Sequence, residues 1–203
     1  MRVIAKFLTG AADERHFPAP TVPEIAFLGR SNVGKSSVLN SLVGEKIART
    51  SSTPGRTRMI NFFEIRRPGK PGAEVIFADL PGYGYAKASR EEVAEWPKFI
   101  EPYLGKREAL ALCVWLLDAY VPPQKNDTQM IDWLRQSGRP FLAVATKADR
   151  LSGNELRNSL SRLQEAHRIE RLLPYSARSG FGKEELWREI WGRAQQPRER
   201  MIG

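Results

Sequence analysis

The sequence predicts an α/β protein of three layers: a mostly parallel six-stranded sheet with helices on both faces and one antiparallel hairpin at its edge. Three observations predict this. From residue 24 onward, apolar strand-like runs alternate with stretches of helical periodicity. Two of the runs, Leu110 to Leu117 and Phe141 to Ala145, are unbroken apolar stretches, as strands covered on both faces must be. Each polar loop motif follows a strand, at the carboxyl end where open α/β sheets place ligands.

Residues 1–22 mix Phe7 and Leu8 with charge and with Pro18 and Pro20, and read as an irregular arm packed on the body. Glu24 to Leu28 is a buried strand, and Gly29 to Gly34 a loop. Lys35 to Val43 is a helix with Val38, Leu39, Leu42 and Val43 on one face, stopped by Gly44. Ser51, Ser52, Thr53, Pro54 and Gly55 make Glu45 to Thr57 a loop. Arg58 to Arg66 and Glu74 to Ala78 form a hairpin around Pro68 to Gly72, with one strand facing outward at the sheet edge. Ser89 caps a helix to about Ile100, which Pro97 kinks or ends. Leu110 to Leu117 is the next strand, and Asp127 to Gln136 a helix. Phe141 to Ala145 is a strand, followed by a helix from about Asn154 to His167. A short strand runs from Leu172 to near Ser176. Lys183 to Trp191 is the last helix, stopped near Gly192, and 195–203 is a flexible tail.

Composition narrows the chemistry. At 203 residues the chain is one domain with extensions, large enough to bury a core without staples. Its one cysteine, Cys113, excludes an internal disulfide and any cysteine metal cluster, and its place in an apolar strand makes it inert. The longest apolar run, Ala109 to Leu117, is too short to span a bilayer, and the start lacks a signal-peptide pattern, so the expectation is a cytoplasmic protein with no membrane span; a monomer is expected as well. A formal charge of +9 favours a polyanionic partner, with a merely well-solvated surface as the plain alternative.

Gly29-Arg-Ser-Asn-Val-Gly-Lys-Ser36 matches the phosphate-loop pattern G-x-x-x-x-G-K-[ST], between a strand and a helix as that pattern requires. Glycines let backbone N–H groups turn inward onto phosphate, the helix start adds positive potential, Lys35 supplies a point charge and Ser36 a hydroxyl for Mg²⁺. Asp79-Leu-Pro-Gly82, at the next strand tip, can hold Mg²⁺ through water and offer the Gly82 N–H to a third phosphate. In Thr146-Lys-Ala-Asp149 a fixed carboxylate can accept two hydrogen bonds from guanine, a donor pair that adenine lacks, while the Lys147 stem lies over the base. Ser176-Ala-Arg178 can place a backbone N–H on the guanine carbonyl. Thr57 is the leading second protein ligand for Mg²⁺, with Thr53 competing, in a loop that a third phosphate can order and hydrolysis release.

This set, together with Thr53-Pro-Gly-Arg-Thr57, Asn61-Phe-Phe63, Asp79-Leu-Pro-Gly-Tyr-Gly-Tyr85 and Ser176-Ala177, resembles the bacterial EngB (YihA/YsxC) GTPases over roughly Phe7 to Trp191. The resemblance implies a three-layer P-loop NTPase of the Ras-like G-domain type, spanning 23–194. It implies a cytoplasmic GTP-binding switch with weak, Mg²⁺-dependent GTP hydrolysis, acting in large ribosomal subunit assembly and needed for normal division and septation. It carries nucleotide binding onto Gly29, Arg30, Ser31, Asn32, Val33, Gly34, Lys35 and Ser36. It does the same for Gly55, Arg56, Thr57, Arg58 and Met59 of the first switch, for Asp79, Leu80, Pro81 and Gly82 of the second, and for Thr146, Lys147, Ala148, Asp149, Tyr175, Ser176 and Ala177 around the base. Mg²⁺ falls to Ser36 and Thr57, with Asp79 through water.

Catalytic assistance is assigned to Lys35, Thr57, Gly82 and Asn32. Where Ras-like enzymes carry a water-positioning glutamine stands Tyr83, a poor general base at neutral pH, so turnover is expected to be slow. Related GTPases with asparagine at the Asn32 position look K⁺-activated, which makes K⁺ a second cofactor expectation; the alternative is that Asn32 closes the loop. Residues 46–70 hold Lys46, Arg49, Arg56, Arg58, Arg66, Arg67 and Lys70 against Glu64 alone, a surface for rRNA of the large subunit or its precursor, or an ordinary solvated face. Tyr83 and Tyr85 read as partner-binding aromatics, the five tryptophans as core, and Asp118 as structural. Three rivals stand beside this reading: a regulator acting directly on division machinery, an ATPase or small-molecule kinase, and a GTP-binding module that scarcely hydrolyses.

Overall fold

The computed structural model describes residues 2–48, 59–84 and 100–196. Their strands form one seven-stranded sheet in the order β1-β3-β4-β2-β5-β6-β7. The strands are β1 (Ile4–Ala11), β2 (Glu24–Gly29), β3 (Ile60–Arg66), β4 (Val75–Asp79), β5 (Leu110–Asp118), β6 (Phe141–Thr146) and β7 (Leu172–Pro174). The helices are α1 (Lys35–Val43), a helical segment α2 over 100–106, α3 (Lys125–Gln136), α4 (Gly153–His167) and α5 (Lys183–Ala194). β4, β2, β5, β6 and β7 pair in parallel, while β3 runs antiparallel to β4 and to β1.

The sheet carries two apolar layers. On one face Phe27, Phe63 and Phe77 pack with Leu39 and Leu42 of α1 and with Trp187 and Ile190 of α5. On the other, Phe62 and Trp115 pack with Tyr103 and Leu104 of α2, Ile131 and Leu134 of α3, and Leu163 of α4. Every residue of β2, β4 and β5 is buried, which is why these strands read as near-continuous apolar runs. Parallel register brings the strand tips together: Phe27 lies opposite Asp79, Gly29 opposite Leu116, and Asp118 opposite Thr146.

Three expectations are corrected. Residues 4–11 are not an irregular arm but a strand, so the sheet has seven strands and β3 is covered rather than outward-facing. A bulge between Phe7 and Thr9 and the exposure of Ile4, Phe7 and Leu8 break the alternation that would announce β1. The helix expected to end near Ile100 continues to 106, burying Tyr103 and Leu104; its expected start lies outside the described residues. Helix α5 runs through Gly192 to Ala194, because the tertiary packing of Trp187, Ile190 and Trp191 outweighs one glycine. Among the described residues no helix is long and apolar enough to cross a membrane.

Candidate functional site

Three loops lie at the strand tips, and the second and third are each tied to the first by hydrogen bonds to its backbone. The first runs from Gly29 to Lys35. A Cβ on Gly29 would sit 2.9 Å from the Leu116 carbonyl oxygen, so the loop leaves the sheet only through glycine. Gly34 caps α1 at φ 101° without a side-chain hydrogen bond, leaving the first-turn N–H groups facing the loop. Asn32 is left-handed at φ 66°, a region asparagine tolerates better than other residues. Its carbonyl accepts a hydrogen bond from Lys147 Nζ at 2.8 Å, and its side chain is exposed. The loop-closing reading of Asn32 therefore operates through the backbone.

The second loop follows β4. Tyr83 N–H donates to the Gly29 carbonyl at 3.3 Å, and Ser31 N–H donates to the Tyr83 carbonyl at 2.9 Å. A Cβ on Gly82 would come within 3.1 Å of the Ser31 backbone, so the two loops touch there without a side chain between them. Lys35 Nζ is ion-paired with Asp79 Oδ1, both side chains mostly buried. The point charge of the first loop and the carboxylate of the second thus project into one space.

The third loop follows β6. Thr146 Oγ1 lies 2.6 Å from the Val33 carbonyl oxygen and 3.0 Å from that of Leu117, pinning the motif to the first loop and to β5. Lys147, left-handed at φ 59°, also pairs with Asp118 Oδ2 at 2.5 Å. Ser176 Oγ donates to Asp149 Oδ1 at 2.6 Å. That bond holds the Asp149 carboxyl below its ordinary range, so it stays an acceptor at neutral pH. A cleft of about 1150 Å³ opens here, lined among others by Gly34, Thr146, Lys147, Asp149, Tyr120 and Ala177.

Not every residue of the expected site presents its side chain. Those of Val33, Leu80, Ala148 and Tyr175 are buried in the two apolar layers or beneath the loops, leaving only backbone groups for a ligand. Tyr175 works this way already: its carbonyl accepts from Ala148 N–H at 3.1 Å, while its hydroxyl reaches Ser41. Arg30 turns away toward Asp127, with Nε 3.2 Å from Oδ2. The Met59 side chain packs against Gly10 of β1. Gly55, Arg56, Thr57 and Arg58 lie outside the described residues, as do Thr53, Tyr85 and Trp96. Ser36 and Asp79 remain as described oxygen donors of the hard type that Mg²⁺ prefers.

The structure gives Asp118 the structural role expected of it and revises the expectation for Tyr83. Asp118, which has no partner motif in the sequence, anchors Lys147; its only sequence signal is an acid at the end of a strand adjacent to the Thr146-Lys147 strand. Tyr83, expected as a partner-binding aromatic, is 6% exposed. Its hydroxyl donates to Asp127 Oδ1 at 2.9 Å and accepts from Trp115 Nε1 at 2.8 Å. Desolvation raises its pKa well above 10, which removes it as a base. Cys113 is buried with its thiol pushed up to about 12, as an inert residue should be. Trp115, Trp187 and Trp191 pack in the core as expected.

Comparison with known proteins gives the family. The family described as 50S ribosome-binding GTPase matches residues 24–147. A probable GTP-binding protein EngB of Koribacter versatilis is 61% identical over 191 residues, covering 94% of each chain. Its counterpart from Acidobacterium capsulatum is 54% identical over 202 residues, covering 99% of this chain and 96% of its own. In fold, the chain superposes on the crystal structure of a probable GTP-binding protein EngB with a TM-score of 0.67 at 23% identity, over 86% of this chain and 100% of the other. It also superposes on Era in complex with MgGDPNP and a 16S ribosomal RNA segment, with a TM-score of 0.68 at 25% identity, over 87% of this chain and 58% of the other. With the three loops in place and these relatives spanning almost the whole sequence, the chain belongs to the EngB family of GTP-binding proteins.

Proposed function

We propose that the chain is a guanine-nucleotide switch with slow, Mg²⁺-dependent GTP hydrolysis that assists assembly of the large ribosomal subunit, with normal division and septation depending on that role. The observation that carries the reading is the stitching of all three loops to one frame, with Asp149 fixed by Ser176 at the far end and the Lys35–Asp79 pair at the near end. In this reading a base lies at the Asp149 end and a phosphate chain at the Lys35 end. The family description, 50S ribosome-binding GTPase, supports the large-subunit part, and the 16S ribosomal RNA held by the structural neighbour Era supports contact with ribosomal RNA in general.

In this reading the loop from Gly29 to Ser36 holds phosphate through N–H groups other than those of Ser31 and Val33, which bond to the Tyr83 and Arg30 carbonyls, Lys35 neutralises charge on the outer phosphates, and Gly82 N–H meets the third. Asp149 reads the guanine edge, with Ala148, Tyr175, Ser176 and Ala177 shaping its surroundings. Ser36 and Thr57 would hold Mg²⁺ directly and Asp79 through water; the ion, when bound, adds positive charge beside the phosphates. The exposed Asn32 side chain is offered for K⁺ beside the same phosphates. Tyr83 takes no part as a base, so hydrolysis rests on electrostatics alone.

Calorimetry with GDP and ADP in Mg²⁺ tests the base assignment. GDP should bind and ADP should not, and Asp149→Ala should weaken GDP by about 100-fold, as the removal of two charge-assisted hydrogen bonds implies. Phosphate release over many turnovers in KCl and in NaCl tests the rest: a slow rate, higher in KCl, is expected, and equal rates would remove Asn32 from the mechanism.

A further inference from the structure

We propose that Asp127 of α3, acting through the Tyr83 hydroxyl and the Arg30 guanidinium, is a positioning residue that holds the Gly82 peptide against the phosphate loop. The inference rests on the GTP reading above. It begins from five side chains that the nucleotide chemistry leaves unused. Asp127 is 3% exposed, in the first turn of α3. Oδ1 accepts from Tyr83 Oη at 2.9 Å, and Oδ2 lies 3.2 Å from Arg30 Nε. Trp115 Nε1 donates to the same Tyr83 oxygen from the central strand β5. Arg30 Nη1 reaches Gln124 Oε1, one residue before α3. A buried carboxylate is costly unless paired, and this one is paired to both phosphate-side loops at once.

The mechanical consequence follows from neighbours in sequence. Arg30 lies between Gly29 and Ser31, the two residues whose backbones bond to Tyr83, and Tyr83 follows Gly82 directly. Residues 30 and 83 form a parallel bridge, so one backbone link and one carboxylate hold them from opposite sides. Beyond Tyr83 the clasp continues: Gly84 is at φ 65°, and a Cβ there would come within 2.6 Å of Asn126 Nδ2. The start of α3 therefore grips the Tyr83-Gly84 turn by side chain and by close backbone approach. Of the phosphate contacts proposed above, the Gly82 N–H is the one that meets only the third phosphate. A residue that fixes Gly82 without lining the base cleft should set preference for the triphosphate and leave diphosphate binding alone.

The test is calorimetry of the full chain with GDP and with GDPNP in Mg²⁺, on wild type, Tyr83→Phe and Asp127→Asn. Each variant should lose roughly tenfold in GDPNP affinity, about what one charge-assisted hydrogen bond supplies, with GDP changed less than about twofold. Equal losses for both nucleotides would mean a merely structural role and overturn the proposal, as would unchanged affinities. Should Asp127→Asn fail to fold, Trp115→Phe keeps a buried ring, removes the donor to Tyr83 together with part of the indole's volume, and must show the same split. Wild-type protein that binds neither nucleotide would overturn the GTP reading, and this inference with it, which is a different failure from wild type binding both and the variants preserving their ratio.

Discussion

Asp118 shows what a single side chain contributes to a loop that looks self-sufficient. Lys147 sits in a left-handed conformation, and its ammonium is shared between the Asn32 carbonyl and Asp118. The carboxylate also accepts from Tyr120 N–H at 3.0 Å, so it is held before Lys147 arrives. Asp118→Ala should leave Lys147 with one neutral acceptor, let its stem swing away from the base, and weaken GDP binding by roughly tenfold. Asp118→Asn, which keeps an acceptor but no charge, should fall between the two in the same titration. The motif Thr146 to Asp149 is legible in the sequence because its chemistry lies within four consecutive residues. The role of Asp118 is not, because its partner is 29 residues away and only strand register brings them together. The same holds for Tyr83, whose position after Gly82 suggests exposure while Trp115 and Asp127, from two other elements, draw it inward.

Elements are legible where pattern and packing agree. The spacing of Val38, Leu39, Leu42 and Val43 predicts α1 with its observed bounds, since a stripe at that spacing has one face to bury. β1 escapes because an edge strand with a bulge and exposed apolar residues has no clean period. The hairpin of β3 and β4 is predictable, but not what holds its far end. Arg67 forms a forked pair with Glu74 across the turn, and its guanidinium lies 5.1 Å from the centre of the Trp191 ring on α5. The guanidinium holds the Glu74 carboxyl down at about 2. Because the folded value lies below the ordinary one, the pair stabilises the fold above the ordinary carboxylate range, and the gain is lost as pH falls through the folded value. Glu74→Gln should therefore melt a few degrees below wild type at neutral pH, and the two melting curves should converge as pH approaches about 2.

Across the whole molecule the question is where the excess positive charge goes. Residues 46–70 hold seven basic side chains and one acid, and read in isolation they form a uniform basic face. The fold divides them. Arg67 is engaged by Glu74 and Trp191, and Lys46 lines the cleft beside Asp149. Arg66 Nη1 donates to the Lys70 carbonyl at 2.9 Å, which leaves its charge unpaired by any carboxylate among the described residues, and Lys70 is exposed at the same turn. If this turn meets ribosomal RNA, Arg66 and Lys70 are the pair that does so, and Arg67 is not. Replacing both by glutamine should weaken co-sedimentation with large ribosomal subunits and flatten its dependence on salt, by about one unit of log–log slope for each phosphate no longer neutralised. GDP affinity should not move, since neither side chain lines the nucleotide cleft. Arg67→Gln should instead lower the melting temperature and leave the salt slope as it was. Should the double replacement leave binding and slope untouched, the polyanion does not meet the protein at this turn, and the +9 must act from elsewhere on the surface.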